Sequence, residues 1–535
     1  MYIATIPNRH SPPAILLRES YREGKQVKSR TLANLNHWPP ARVEALRRTL
    51  RGEFDGVTGI EPTSDRIFGV LFVLKQLADR VGLTKALGQD ERGKLALFLV
   101  LARVAHQGSR LSAVRWAQEH AVAEVLGLGA FDENHLYATL DWLAAHQQPL
   151  EDHLYRTYVR QAGAAPVLVL YDVTSTYLEG EGNELAAFGY NRDGKRGTPQ
   201  IVIGLLTAAD GEPLAIRVFE GNTSDPQTVA TPVSTLKKRF RVEEVVFVGD
   251  RGMIKAKGKG ALTAAQFKYI TALTNPQIRK LIGQGVLQPD LFDTTAQAVE
   301  HDGKRLILRC NEVLQRKRRH CRDSQLQRLQ ELVNERNAVV SRSKRAQPAA
   351  GWRTLSTWIQ RHKLHPFVTL VLEERVLHVI IDDEAKETAG LLDGCYVLET
   401  DVRADQLDPQ TVDARYRDLQ RVERDFRHLK TVMLEVRPLF LRKATRTRGH
   451  VFVAMLALKL LRALAAPLQQ AFGTTHDEPY TLTVEDALAT LSRLCLLRYV
   501  SASGDVVSLP RLDERQHALF KALHIRPPAI HSVAV

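Results

Sequence analysis

Cysteine is scarce in this chain: four in 535 residues, at positions 310, 321, 395 and 495. No CxxC pair or His-x-His cluster accompanies them, which argues against a zinc finger. So few thiols over such a length suit a reducing cytoplasm, not a disulfide-stapled secreted fold. His320-Cys321 is an isolated pair in a basic stretch and reads as surface. Uninterrupted apolar runs of membrane-spanning length are also lacking. The longest, residues 451–468, is broken by Lys459 and Arg462 and reads as a buried amphipathic helix. The opening MYIATIPNRHSPPAILLRES holds no apolar stretch long enough for a secretory leader. Internal repeats and low-complexity tracts are missing too, which leaves no sign of a solenoid or a disordered tail. Acidic residues fall short of basic ones, 60 against 74, giving a net charge of +14 and a pI near 9.6. A polyanionic partner suits that balance. A merely basic solvated surface gives the same number, so charge alone leaves the two readings even.

What is present is ordinary globular material, 44% hydrophobic and 25% charged, long enough for two to four domains. Residues 1–62 carry short apolar alternations (YIATI, AILLRES) around a turn-like NRHSPP, the mark of a small β-rich segment. Over 63–162 the period becomes helical, as in KLALFLVLARVAHQ, with Ser112, Asp132 and Asn134 placed to cap helix starts. That helical module could bind DNA or serve as a packing scaffold. From 163 to 275 the pattern changes again. PVLVLYDV and EEVVFVGDRGM are continuous apolar runs of strand length, and QIVIGLLTAADGEPLAIRVFEG is a hairpin turning at Asp210-Gly211. The order strand, strand, strand, helix, strand fits the start of a ribonuclease-H-like α/β core. Residues 276–404 interrupt it with a very basic helix and further strands, a mixed α+β insertion. Residues 405–470 supply the final helices of the core, and 471–535 read as a peripheral C-terminal segment.

Two carboxylates stand out. Asp172 closes the apolar run VLVLY, and Asp250 follows VVFVG just before Arg251-Gly252. A carboxylate at the end of a buried strand costs free energy unless it is solvated or meets a cation. One such Asp is most simply a turn cap; two on neighbouring strands about 5 Å apart can share metal ions. Asp382, Asp383 and Asp401 also follow strand-like runs, but they fall in the insertion and are expected to be structural. Glu423 lies on an expected long helix from 412, with Tyr416 and Lys430 seven residues to either side and an apolar stripe of Leu419, Val422, Phe426 and Leu429. Its simplest reading alone is a surface ion pair with Arg427.

Five segments in order, YDVTSTYLEG, FGYNRDGKRGTPQIVIGLL, FEGNTSD, VFVGDRGM and YRDLQRVERDFRHLKTVMLEVRPLFLRKATRTRGHVFVAMLAL, resemble the bacterial insertion-sequence transposases of the DDE class with an inserted β-rich domain, the YREK group. The resemblance covers most of 165–465, and the N-terminal YREGKQVKSRTLANL is similar to the same proteins. It implies an acidic triad of Asp172, Asp250 and Glu423 that holds Mg²⁺ or Mn²⁺, two ions in all. Tyr416, Glu423 and Lys430 match the helical signature; its Arg position is occupied by Leu419. The implied activity is cleavage of double-stranded DNA at the element's terminal inverted repeats. Joining of the freed 3′ ends to target DNA follows, by two-metal phosphoryl transfer. Tyr416 and Lys430 are expected to contact backbone phosphate; the basic segment just beyond, with Arg437, Arg442, Lys443 and Arg446, suits a DNA track and a solvated face equally well. The denser cluster Arg316 to Arg319, in the insertion, could likewise be a solvated face, but a position beside the expected active site leans it toward DNA. The resemblance also implies a homodimer in a synaptic complex, a cytoplasmic, nucleoid-associated location and no membrane partner. Two other readings stay open: a metal-dependent nuclease that does not join strands, and a catalytically inactive DNA-binding derivative.

Overall fold

A computed structural model describes the chain except residues 9–11, 53–60, 191–196, 252, 428, 430–433, 435, 437–438, 474–481, 502–503, 529–532 and 535. Lys430, Arg437 and the turn at Asn191–Asp193 therefore lie outside the described residues. The chain forms two compact units, one of residues 1–76, 115–127 and 464–535, the other of 77–114 and 128–463.

The first unit opens with an antiparallel sheet of Tyr2–Ile6, Ala14–Glu23 and Gln26–Asn34, followed by a helix over Pro40–Leu50. Its second sheet pairs Glu61–Ile67 with Cys495–Ser501, so an early strand and a late one share a ladder. Leu491, Leu494, Phe520 and Leu523 are almost fully buried in this unit. The last residues thus supply core.

The second unit is mixed α/β. Among its described residues, eight strands make one sheet: β1 (Leu168–Tyr177), β2 (Gln200–Ala208), β3 (Pro213–Glu220), β4 (Val246–Gly249), β5 (Lys268–Ala272), β6 (Gln297–His301), β7 (Lys304–Cys310) and β8 (Cys395–Thr400). Their spatial order is β6-β7-β8-β5-β4-β1-β2-β3. β1 runs parallel to β4 and β4 to β5; β1 to β2 and β2 to β3 are antiparallel. All of β2 and most of β1 are buried, as strands covered on both faces must be, and this is why they read as apolar runs without alternation. The β2–β3 hairpin turns at Asp210-Gly211, with Gly211 at φ +87°. Residues 276–404 do more than interrupt this sheet: β6, β7 and β8 extend it, β8 pairing antiparallel with β5. Between β7 and β8 the chain makes an excursion through α2 (Glu312–Arg342), a helix over Pro348–Arg361 and a hairpin of Val368–Glu373 and Val376–Ile381.

α1 (Glu133–Ala162) starts at a capping box on Asp132 and packs on β3. Its Glu151 is fully buried and accepts from Arg217 at 2.6 and 2.8 Å and from Arg239 at 3.1 Å. Tyr155 stacks on Phe240 with centroids 4.0 Å apart. The expected single helix from 412 is instead two, α3 (Pro409–Arg417) and α4 (Leu419–Arg427), broken at Asp418. The Asp418 carboxylate holds Arg415 at 3.0 Å and Arg421 at 3.5 Å. The Arg421 N–H donates to the Asp418 carbonyl only three residues back, tightening the turn there. The apolar stripe stays in place: Leu419, Val422, Phe426 and Leu429 are all buried. α5 (Ala444–Phe472) is long and apolar enough by length and composition to cross a membrane, yet 72% of its most apolar window is buried inside the protein. It crosses α1 where Gly449 faces Leu140; a Cβ at Gly449 would come within 2.1 Å of the Leu140 carbonyl oxygen.

Candidate functional site

The parallel pairing of β1 with β4 sets the site. Its register matches Tyr171 with Gly249, so the next residues, Asp172 and Asp250, stand side by side at the C-terminal end of β4. Sequence reading puts Asp172 at a strand end. In fact β1 continues to Tyr177, because β2 keeps pairing with it beyond β4, with Asp172 opposite Leu205. Asp172 is half-buried within a buried strand, and its Oδ1 accepts from the Val173 N–H at 2.8 Å. Asp250 is exposed just past β4, where the chain turns into Arg251. The Asp250 carbonyl accepts from the Thr271 hydroxyl of β5 at 3.3 Å, which ties this turn to the neighbouring strand.

α3 and α4 bring the remaining groups. The Tyr416 hydroxyl donates to Asp250 Oδ1 at 3.0 Å. Burial pushes the Tyr416 phenol above its usual range, and the charge and hydrogen bond of Asp250 add to this; Arg251 opposes it, and Asp172 raises it further. A phenol so placed stays protonated and remains a donor. α4 packs across β1. Glu423 is exposed on it, yet its carboxyl is held above the usual carboxylate range. The first cause is the desolvation it does suffer, the second is the negative charge of Asp250, and Arg427 opposes both. Among the described residues, no three His, Cys, Asp or Glu side chains converge closely enough to hold one metal ion.

Asp413 escapes notice in the sequence. It is a fully buried residue of α3 and accepts from Arg309 of β7, Tyr396 of β8 and Arg417, the last at 2.8 Å. It fixes the helix that carries Tyr416. Its only sequence signal is the four-residue spacing to Arg417, which looks like an ordinary surface pair. The expected structural acids behave as such: Asp382 caps the helix that follows it by accepting from the Ala385 N–H at 2.9 Å, and Asp401 accepts from the Tyr269 N–H at 2.8 Å.

The basic segment divides. Arg442 and Lys443 are exposed. Arg446 is engaged internally, its Nε 3.1 Å from Asp141 and its guanidinium 4.8 Å over the Tyr137 ring. Leu419, at the signature's Arg position, is buried in the apolar stripe and offers no cation.

Residues 163–460, more than half of the chain, match the family model of the transposase DDE domain. Residues 3–61 match that of the IS1634 family transposase N-terminal domain. No curated protein matches the chain. Among solved structures, a piggyBac transposase in a synaptic complex with hairpin DNA is similar at 10% identity, covering 74% of this chain and 69% of that one with a TM-score of 0.33. That likeness is too loose to carry an argument.

Proposed function

The chain belongs to the transposase DDE-domain family, and from that premise we propose that it cuts DNA at insertion-sequence ends and joins the 3′ ends to target DNA by two-metal phosphoryl transfer. The observation that carries this is geometric: Asp172 and Asp250 stand in register on adjacent parallel strands, and α4, which carries Glu423, packs across β1. The strand sequence, three antiparallel strands followed by two parallel ones in the spatial order β3-β2-β1-β4-β5, supports reading residues 163–275 and 405–470 as a ribonuclease-H-like core, with 276–404 inserted.

The donor chemistry suits a divalent metal, which would have to draw the three carboxylates together, since they do not converge without it. Three carboxylates offer hard oxygen ligands of the kind Mg²⁺ and Mn²⁺ prefer. When bound, two such ions neutralise charge on the attacking and departing oxygens of a phosphodiester. The protein's own residues do the rest. β1 carries Asp172 and the turn just past β4 carries Asp250, Tyr416 orients Asp250, and α4 presents Glu423 as the third ligand. Exposed Arg442 and Lys443, with Lys430 and Arg437, contact backbone phosphate. The DNA partner is the element's terminal repeats and the target, held by a homodimer that pairs two ends.

The test is a strand-transfer assay with duplexes ending in the repeats that flank the reading frame, a supercoiled target plasmid and Mg²⁺. Joined products are expected. Hydrolysis without joining would favour the nuclease reading, which one observation supports: buried Leu419 removes a cation from the place where the signature supplies one.

A further inference from the structure

The excursion between β7 and β8 leaves the sheet after Cys310, the last residue of β7, and returns at Cys395, the first residue of β8. The two cysteines are direct partners in the antiparallel ladder. Their own N–H groups are used elsewhere: Cys310 donates to the Asp293 carbonyl at 2.7 Å and Cys395 to that of Leu392 at 3.2 Å. The next pair outward is bonded, Asn311 N–H to the Gly394 carbonyl at 2.9 Å. Cys310 and Cys395 thus occupy a non-hydrogen-bonded position, where facing Cα atoms approach to about 4.5 Å. A disulfide needs roughly 4.4–6.8 Å between Cα atoms. The sulfurs lie 3.1 Å apart and both residues are buried. The neck is also fixed tightly. Gly394 sits at φ +72°, and a Cβ on it would meet the Asn311 carbonyl oxygen at 2.4 Å. Arg322 of α2 holds Asp393 at 2.5 Å.

We propose that Cys310 and Cys395 are a redox-active pair that closes a cross-strand disulfide at the neck of this excursion. The oxidant is a hydroperoxide. With hydrogen peroxide, one thiol is oxidised to a sulfenic acid and releases one water. The facing thiol then attacks that sulfur, the S–S bond forms, the S–O bond breaks, and the departing oxygen leaves with the thiol proton as a second water. Two thiols and one peroxide become one disulfide and two waters. Burial, with the Cys310 contact adding to it, pushes the Cys395 thiol up to about 12. The closed bond ties the end of β7 to the start of β8, two residues ahead of α2, the helix that carries Arg316 to Arg319.

The proposal is independent of the DNA chemistry, and its test needs no activity. The full chain carrying Cys321→Ser and Cys495→Ser is treated with hydrogen peroxide in the native state, alkylated and digested with trypsin. The expected result is loss of both free thiols and a linked pair of peptides, 310–316 and 387–403, lighter by two hydrogens than their sum. A thermal midpoint raised by at least roughly 2 °C and restored by reductant should accompany it. Cys310→Ser should remove both effects. Thiols that stay free, Cys310 over-oxidised without a cross-link, or the same midpoint shift in Cys310→Ser would each overturn the proposal. Should the Cys310→Ser chain fail to fold, the peptide map of the chain that retains both cysteines decides alone.

Discussion

Replacing Tyr416 with Phe removes one oxygen and leaves the ring, its packing and its helix in place. The atom lost is the donor that holds Asp250 at 3.0 Å. A hydrogen bond to a charged group contributes about 1.5–3 kcal/mol, which as a loss of transition-state stabilisation is roughly a tenfold to 150-fold fall in rate. Because the bond positions a carboxylate, the loss should fall on the rate of end cleavage more than on affinity for the end. The same bond also contributes to the fold, so the midpoint of urea unfolding should fall, and the rates are compared where both chains are fully folded. The phenol is held protonated by burial and by Asp250, so the wild-type rate should show no dependence on phenol ionisation in the alkaline range where free tyrosine titrates. Single-turnover cleavage of a labelled end, measured beside gel-shift affinity, separates these terms. Full activity in Tyr416→Phe, or a loss confined to affinity, would refute a positioning role.

Three further outcomes are expected. Asp413→Ala strips a buried carboxylate from Arg309, Tyr396 and Arg417 and should cost roughly 3–5 kcal/mol in urea unfolding; a change below 1 kcal/mol, taken as a rough threshold, would contradict its anchoring role. Asp425 is raised from 3.8 to about 6 by burial, opposed by Arg462. The folded state therefore binds its proton more tightly, so its contribution to stability is full below pH 3.8 and is lost as pH rises through about 6. Asp425→Asn should flatten that part of the stability–pH curve. For the basic segment, Arg442→Ala with Lys443→Ala should reduce the salt slope of DNA binding by about 1–2 at unchanged stability. Arg446→Ala should instead destabilise the fold, since its partners are Asp141 and Tyr137.

Much of the core was legible because burial on both faces writes itself as an uninterrupted apolar run: VLVLY and VVFVG became neighbouring strands, and the stripe of Leu419, Val422, Phe426 and Leu429 became a buried helical face. The strand end was misjudged at Asp172, because pairing with β2 carries β1 onward and a sequence does not announce which partner outlasts another. The seven-residue spacing of Tyr416 and Glu423 suggested one helix. The break at Asp418 comes from a local turn held by Arg415 and Arg421, groups that any exposed helix also carries. Asp413 stayed hidden because Arg309 and Tyr396 reach it from strands far away in the chain. Arg446 looked free for the same reason: its partner Asp141 sits on α1.

The central claim is that Asp172, Asp250 and Glu423 act together on one phosphodiester. The most direct measurement is Mg²⁺-dependent cleavage and joining by Asp172→Asn, Asp250→Asn and Glu423→Gln, with binding to the element end measured beside it. Each variant should bind the end and neither cut nor join it. Undiminished joining by any one of the three, and above all by Asp172→Asn, would contradict the assignment.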